Sequence, residues 1–180
     1  MSYQPLRAQK AMIFVDGTNL FYRLDAAQLN LTASFNQMFW NSLGRRHIQR
    51  VYLYTIQHHY DRAKTFHGVN IEHNVRVVFG EGIPTGDGNI REKGVDDLLV
   101  ADLVYHAAQK NLDYALVIST DTDFVQALKR VEDFGCKTGI AAICAEVPDR
   151  LKNACDDPLS ISAEDMLLNR WAAPRPENHS

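Results

Sequence analysis

Short apolar, β-branched runs alternate with segments of helical periodicity along almost the whole chain, an order that few architectures accept. Residues 11–15 (AMIFV) form an apolar run, followed by the turn-and-cap sequence DGTN. Residues 21–29 and 35–43 carry apolar side chains at helical spacing, separated by a polar break at 32–34. Residues 51–56 (VYLYTI) read as a strand, 60–67 as a short helix and 75–79 as a third strand. Residues 80–94, rich in glycine and charge, read as a long loop. A helix over 96–110 leads to a buried strand at 114–118, the turn STDTD and an amphipathic helix over 124–134 stopped by Gly135. A fifth strand at 138–143, a short helix at 148–154, a small edge strand at 159–161 and a helix at 163–168 complete the order. Such alternation predicts a mostly parallel sheet covered on both faces, a three-layer α/β/α sandwich. With no repeat, linker or second composition regime, residues 1–180 are expected to be one domain with an ordered core of about 11–168. The tail 172–180, with two prolines, is expected to be flexible.

The carboxylates fall at telling places on this frame. In open parallel sheets, ligands bind outside the carboxyl ends of the strands. Asp16 ends the first strand, while Asp121 and Asp123 follow the strand at 114–118. Asp96 and Asp97 open the helix that precedes that strand and lie on the same rim. Carboxylates gathered in this way repel, and a divalent cation relieves the conflict. All-oxygen ligation suits Mg²⁺ or Mn²⁺, and such a centre serves phosphodiester hydrolysis. Each aspartate also has a plainer reading. Asp16 suits a turn, Asp123 and Asp96 suit helix caps, Asp97 suits a first helical turn, and Asp102 suits a helix surface. Caps alone do not explain why these strand ends are the acidic ones.

Bulk properties narrow the class further. At 180 residues and 46% hydrophobic, the chain can bury a real core. It has no apolar run near the roughly 20 residues of a membrane helix. The apolar segment after MSYQPLRAQK is too short for a signal peptide, and Cys136, Cys144 and Cys155 form no CxxC pair. A cytoplasmic protein with reduced thiols is expected. The net charge of −3 is no footprint for nucleic acid, so bound metal and local basic groups must carry the attraction. Arg45, Arg46 and Arg50 form one such group, and Arg91 with Lys93 another. His58 and His59 follow a strand end and sit near the rim. Trp40 and Trp171 read as packing residues.

Three blocks, IFVDGTNLF (13–21), KGVDDLLVADL (93–103) and VISTDTDFVQALKRVEDFGCKTGI (117–140), resemble in order and spacing the VDGxN, KGVD and SxDxDF blocks of NYN domains. The resemblance is to the LabA-like branch of the PIN-like nuclease superfamily and spans about residues 11–168. It implies a PIN-like sandwich and a Mg²⁺- or Mn²⁺-dependent nuclease site with RNA as substrate; an endoribonuclease acting on single-stranded RNA is expected, with exonuclease action left open. It also implies Asp16, Asp96, Asp121 and Asp123 as catalytic, metal-binding aspartates, with Asn19 and Ser119 as supporting polar groups and Lys93 as a phosphate contact. Asp97 departs from the pattern, which more often has an apolar residue there, and IPTGDGNIRE (83–92) has no counterpart.

Other readings keep the strand-end aspartate and change its use. A catalytically silent RNA- or protein-binding module needs the same fold and no turnover. A haloacid-dehalogenase-type phosphatase needs a second Asp where Thr18 stands, and a metal-dependent adhesion domain needs DxSxS where DGTNL stands. A dinucleotide-binding fold needs a GxGxxG that the chain lacks after its first strand. Nothing in the sequence fixes oligomeric state, and a homodimer stays open.

Overall fold

The computed structural model describes residues 9–44, 46–67 and 75–176. The chain runs β1 (Lys10–Asp16), α1 (Gly17–Ala26), β2 (Leu29–Leu31), α2 (Phe35–Phe39), β3 (His47–Thr55), α3 (Gln57–His67) and β4 (Val75–Phe79). Next come β5 (Glu81–Pro84), β6 (Ile90–Lys93), α4 (Val95–Ala108), β7 (Tyr114–Ile118) and a 3₁₀ turn at Thr122–Phe124. Then follow α5 (Val125–Asp133), β8 (Lys137–Ile143), α6 (Asp149–Lys152), β9 (Asp157–Ile161), α7 (Ala163–Leu168) and β10 (Ala172–Pro174).

Six strands make the central sheet in the order β4-β3-β1-β7-β8-β9, and every neighbouring pair is parallel. Helices cover both faces, the α/β/α sandwich that the alternation predicts. Strand parity divides the core into two layers. Ala11, Ile13 and Val15 pack on one face with Leu20, Leu24, Phe35 and Met166. Met12 and Phe14 pack on the other with Leu99, Leu103, Leu128 and Val131. The chain builds outward from β1 to β3 and β4, then crosses over and builds outward on the other side through β7, β8 and β9. The order therefore reverses between β1 and β7, which opens a crevice at their carboxyl ends.

Several short elements depart from the sequence reading. Residues 80–94 hold an antiparallel hairpin, β5 with β6, rather than an unstructured loop. Its alternation is hidden by Gly82 and Pro84, residues that normally argue against a strand. Leu29, read as the last residue of a helix, instead opens β2 (29–31), which pairs antiparallel with β10. Residues 172–174 of the expected flexible tail are thus a paired strand, and residues 177–180 lie outside the described residues. Helix α2 stops at Phe39, four residues short of the apolar spacing that suggested it.

Gly17 sets how closely α1 meets the sheet. A Cβ there would stand 2.6 Å from the Tyr54 carbonyl oxygen and 3.0 Å from Thr55 Cβ. Neither backbone nor a fully buried β-branched residue gives way easily. Gly17→Ala is expected to destabilise the protein by about 1–3 kcal/mol, read as a lower midpoint in thermal unfolding.

Candidate functional site at the β1–β7 crevice

Asp16 ends β1 and Ser119 directly follows β7, so they meet where the strand order reverses. Parity brings both to the α4 side: Asp16 continues Met12 and Phe14, and Ser119 continues Ala115 and Val117. Ser119 Oγ donates to Asp16 Oδ2 at 2.7 Å, and the Asp121 N–H donates to the same Oγ at 3.0 Å. Asp16 Oδ1 accepts the Asn19 N–H at 3.0 Å and so caps α1. Asn19 Nδ2 donates to Thr120 Oγ1 at 2.8 Å, its Oδ1 accepts the Thr120 N–H at 3.3 Å, and Arg23 Nη2 reaches the same Thr120 hydroxyl at 3.1 Å. DGTN and STDTD are therefore one hydrogen-bonded unit, although about a hundred residues separate them.

Asp16 is only 5% exposed. Its carboxyl is pushed up to about 6, chiefly by burial; the bonds from Asn19 and Ser119 oppose the rise, and the charges of Asp96 and Asp121 add to it. Asp96, on the first turn of α4, is exposed but partly desolvated, which raises its carboxyl, and the charges of Asp121, Glu92, Asp123 and Asp97 raise it further. Carboxylates from three separate segments thus lie within electrostatic reach of one another. Among the described residues, Asp16, Asp96, Asp121 and Asp123 have no Lys or Arg ion pair.

Helix capping explains part of this cluster. Asp16 caps α1, and Asp121 caps the 3₁₀ turn by accepting the Asp123 N–H at 2.9 Å. It does not explain the rest. The N-cap of α4 is Gly94, whose φ of 75° is a left-handed value open to glycine, and it makes no side-chain cap bond. The N-cap of α5 is Phe124, again without a side-chain cap bond. Asp96 and Asp123 cap neither helix, and from the helices only the weak, favourable field of a helix start bears on their charge there. Asp102 accepts the Tyr54 hydroxyl at 3.0 Å, farther along α4.

Glu92 is a member of the rim that sequence reasoning missed. Thr18 Oγ1 donates to its Oε2, and His59 Nδ1 lies 2.8 Å from its Oε1. The period-2 alternation of Ile90–Lys93 was the available signal, obscured by the glycines before it. Of the two neighbouring histidines, His59 reaches the rim through Glu92, while His58 tilts against the His59 ring. Lys93 is exposed and pairs in register with Glu81. Arg50 stands toward the amino end of β3, and Arg46 lies over the Tyr114 ring at 4.5 Å. Both belong to the opposite end of the sheet, and Arg45 lies outside the described residues. The basic stretch near residue 46 is therefore not part of this rim. Trp171 packs against the core, whereas Trp40 is exposed.

The donor set is all oxygen and carries uncompensated negative charge, which fits a hard divalent cation. As the side chains stand, no group of three or more His, Cys, Asp or Glu among the described residues is placed to hold a metal ion. Asp16 and Asp121 are held by their hydrogen bonds, whereas the exposed Asp96 and Asp123 have no side-chain hydrogen bond among the described residues. Cys136, Cys144 and Cys155 are free thiols. No helix among the described residues is long and apolar enough to cross a membrane.

A Vibrio parahaemolyticus protein of unknown function shares the fold. At 18% identity it superposes with a TM-score of 0.67, over 90% of this chain and 98% of its own. A longer protein from Parabacteroides merdae overlaps 85% of this chain and 31% of its own at 13% identity, with a TM-score of 0.34 too low to support an argument. No curated protein matches the sequence. The NYN domain family matches residues 10–162, a span that contains every rim residue described above. That match covers most of the chain, which belongs to the NYN domain family of the PIN-like nuclease superfamily.

Proposed function

We propose that the chain is a one-domain, LabA-like NYN protein that hydrolyses phosphodiester bonds within single-stranded RNA in the cytoplasm. Asp16, Asp96, Asp121 and Asp123 hold Mg²⁺ or Mn²⁺. The observation that carries this reading is the buried Asp16, raised toward neutrality and facing further carboxylates that make no Lys or Arg ion pair among the described residues. The bound ion supplies water activation and polarisation of the phosphoryl oxygen. Ser119 ties the Asp16 carboxylate to the backbone N–H of Asp121 through one hydroxyl oxygen. Asn19 keeps the two turns in register, leaving its helix-start position beside the phosphate path. Lys93, at the exposed end of β6, offers the positive charge that the rim lacks.

The test is cleavage of labelled single-stranded RNA with Mn²⁺, with Mg²⁺ and with chelator, alongside thermal unfolding under each condition. Cleavage that needs metal, together with a higher melting temperature in Mn²⁺, is expected. The second reading, a catalytically silent RNA- or protein-binding module, draws on the lack of a preassembled three-carboxylate group among the described residues. A melting temperature raised by Mn²⁺, with no cleavage of RNA or DNA, would favour that module. No thermal response to either ion would remove the metal site itself.

A further inference from the structure

A cleft of about 220 Å³ opens beside the rim, between α1 and α3. One face of α1 lines it with Thr18, Phe21, Tyr22 and Asp25, positions spaced as one stripe of a helix. His59 and Arg62 line it from α3. Thr18 and His59 are also the two partners of Glu92, whose charge bears on Asp96. The cleft therefore begins where the carboxylate rim ends.

Its chemistry differs from that of the rim. Tyr22 is 66% exposed, a large aromatic ring with no packing reason to face solvent. Arg23 lies over that ring, its guanidinium carbon 5.7 Å from the centroid. Asp25 Oδ1 accepts Arg175 Nη2 at 2.6 Å. Among the described residues its Oδ2 makes no hydrogen bond, which leaves an acceptor at the cleft. The Tyr22 ring, the Arg62 guanidinium and the Asp25 carboxylate acceptor that line this cleft match a heterocycle with N–H groups on its edge.

We propose that this cleft is a nucleobase subsite, which seats the base of a nucleotide flanking the phosphodiester at the carboxylate rim. The subsite rests on the ribonuclease reading for the identity of the strand, though not on turnover. Tyr22 supplies the stacking face, Arg62 the opposing wall, and Asp25 Oδ2 accepts from a base amino or imino N–H. The strand then enters past Thr18 and His59, and the rim meets one defined phosphate rather than any along the chain. Base–aromatic stacking tolerates every base, while the Asp25 acceptor favours bases with an N–H donor on the facing edge.

The experiment measures binding rather than cutting. Fluorescence anisotropy with an Asp121→Asn chain in Mg²⁺ compares a labelled single-stranded RNA octamer with a fully abasic ribose-phosphate octamer. Adding Tyr22→Ala is expected to weaken binding of the base-bearing strand about tenfold and to leave the abasic strand unchanged. Tyr22→Phe, which keeps the ring, is expected to restore the wild-type preference. Equal weakening on both strands, no weakening on either, or no preference for bases in the parent chain would each overturn the subsite. Failure of the nuclease reading appears separately, as an intact wild-type chain that binds RNA with base preference and never cuts it.

Discussion

Replacing Asp16 with Asn is expected to make the metal-free protein more stable at neutral pH while abolishing its response to Mn²⁺. The native carboxyl is pushed up to about 6 from its ordinary value of 3.8, chiefly by burial. Below that ordinary value the group is protonated in both folded and unfolded chains and has no differential effect. Between roughly pH 4 and 6 the folded chain keeps a proton that the unfolded chain gives up, so stability falls as pH rises. Above that window the full difference persists, on the order of 3 kcal/mol. An uncharged amide at this position avoids that loss and still accepts the Asn19 N–H, while Ser119 Oγ turns to accept from the new NH₂ group. At about pH 7.5 without metal, the Asp16→Asn variant should melt about 6–12 °C above the wild type, with the gap closing toward pH 4. Saturating Mn²⁺ should raise the wild type alone. A melting difference that stays flat from about pH 4 to 8 would show that Asp16 is not held in the protonation state described.

The second large effect separates two adjacent acids. Asp96 is coupled to Asp121, Glu92 and Asp123, whereas Asp97 enters only as one of the charges acting on Asp96. Both occupy the first turn of α4, where the helix dipole favours a negative charge, so either substitution costs little in folding. Asp96→Asn is expected to lower RNA cleavage about 100-fold or more, since a direct ligand should matter at least as much as an outer partner. Asp97→Asn is expected to stay within a few-fold of wild type. Reversed sensitivities would assign the metal to Asp97 and leave Asp96 as the accessory charge.

What could be read in advance tracks how strongly each segment's own pattern outweighs its surroundings. The run 114–118 and the helix 163–168 lie within the bounds read from sequence, because their side chains alone dictate burial and period. Asp16 and Asp121 were visible as strand-end acids for the same reason. Leu29 belongs to a helix by spacing and to β2 only because β10 comes to pair with residues 29–31, a fact that no local window contains. Glu92 escaped notice since its place at the rim depends on the β5–β6 hairpin turning its strand toward Thr18 and His59. Local periodicity reports what a segment buries. It is silent on which partners a tertiary fold will deliver.

The pairing of β2 with β10 also has a consequence for synthesis. Leu29–Leu31 leaves the ribosome early, yet its strand partner follows roughly 140 residues later. Until translation reaches Ala172, the edge groups of β2 stay open to any extended chain nearby, including that of a neighbouring nascent protein. Closing so long a loop adds little entropy beyond that of a shorter one, but it delays the reward to the last moment. A ribosome that stalls after α7 would leave this clasp undone, with the central sheet already able to form.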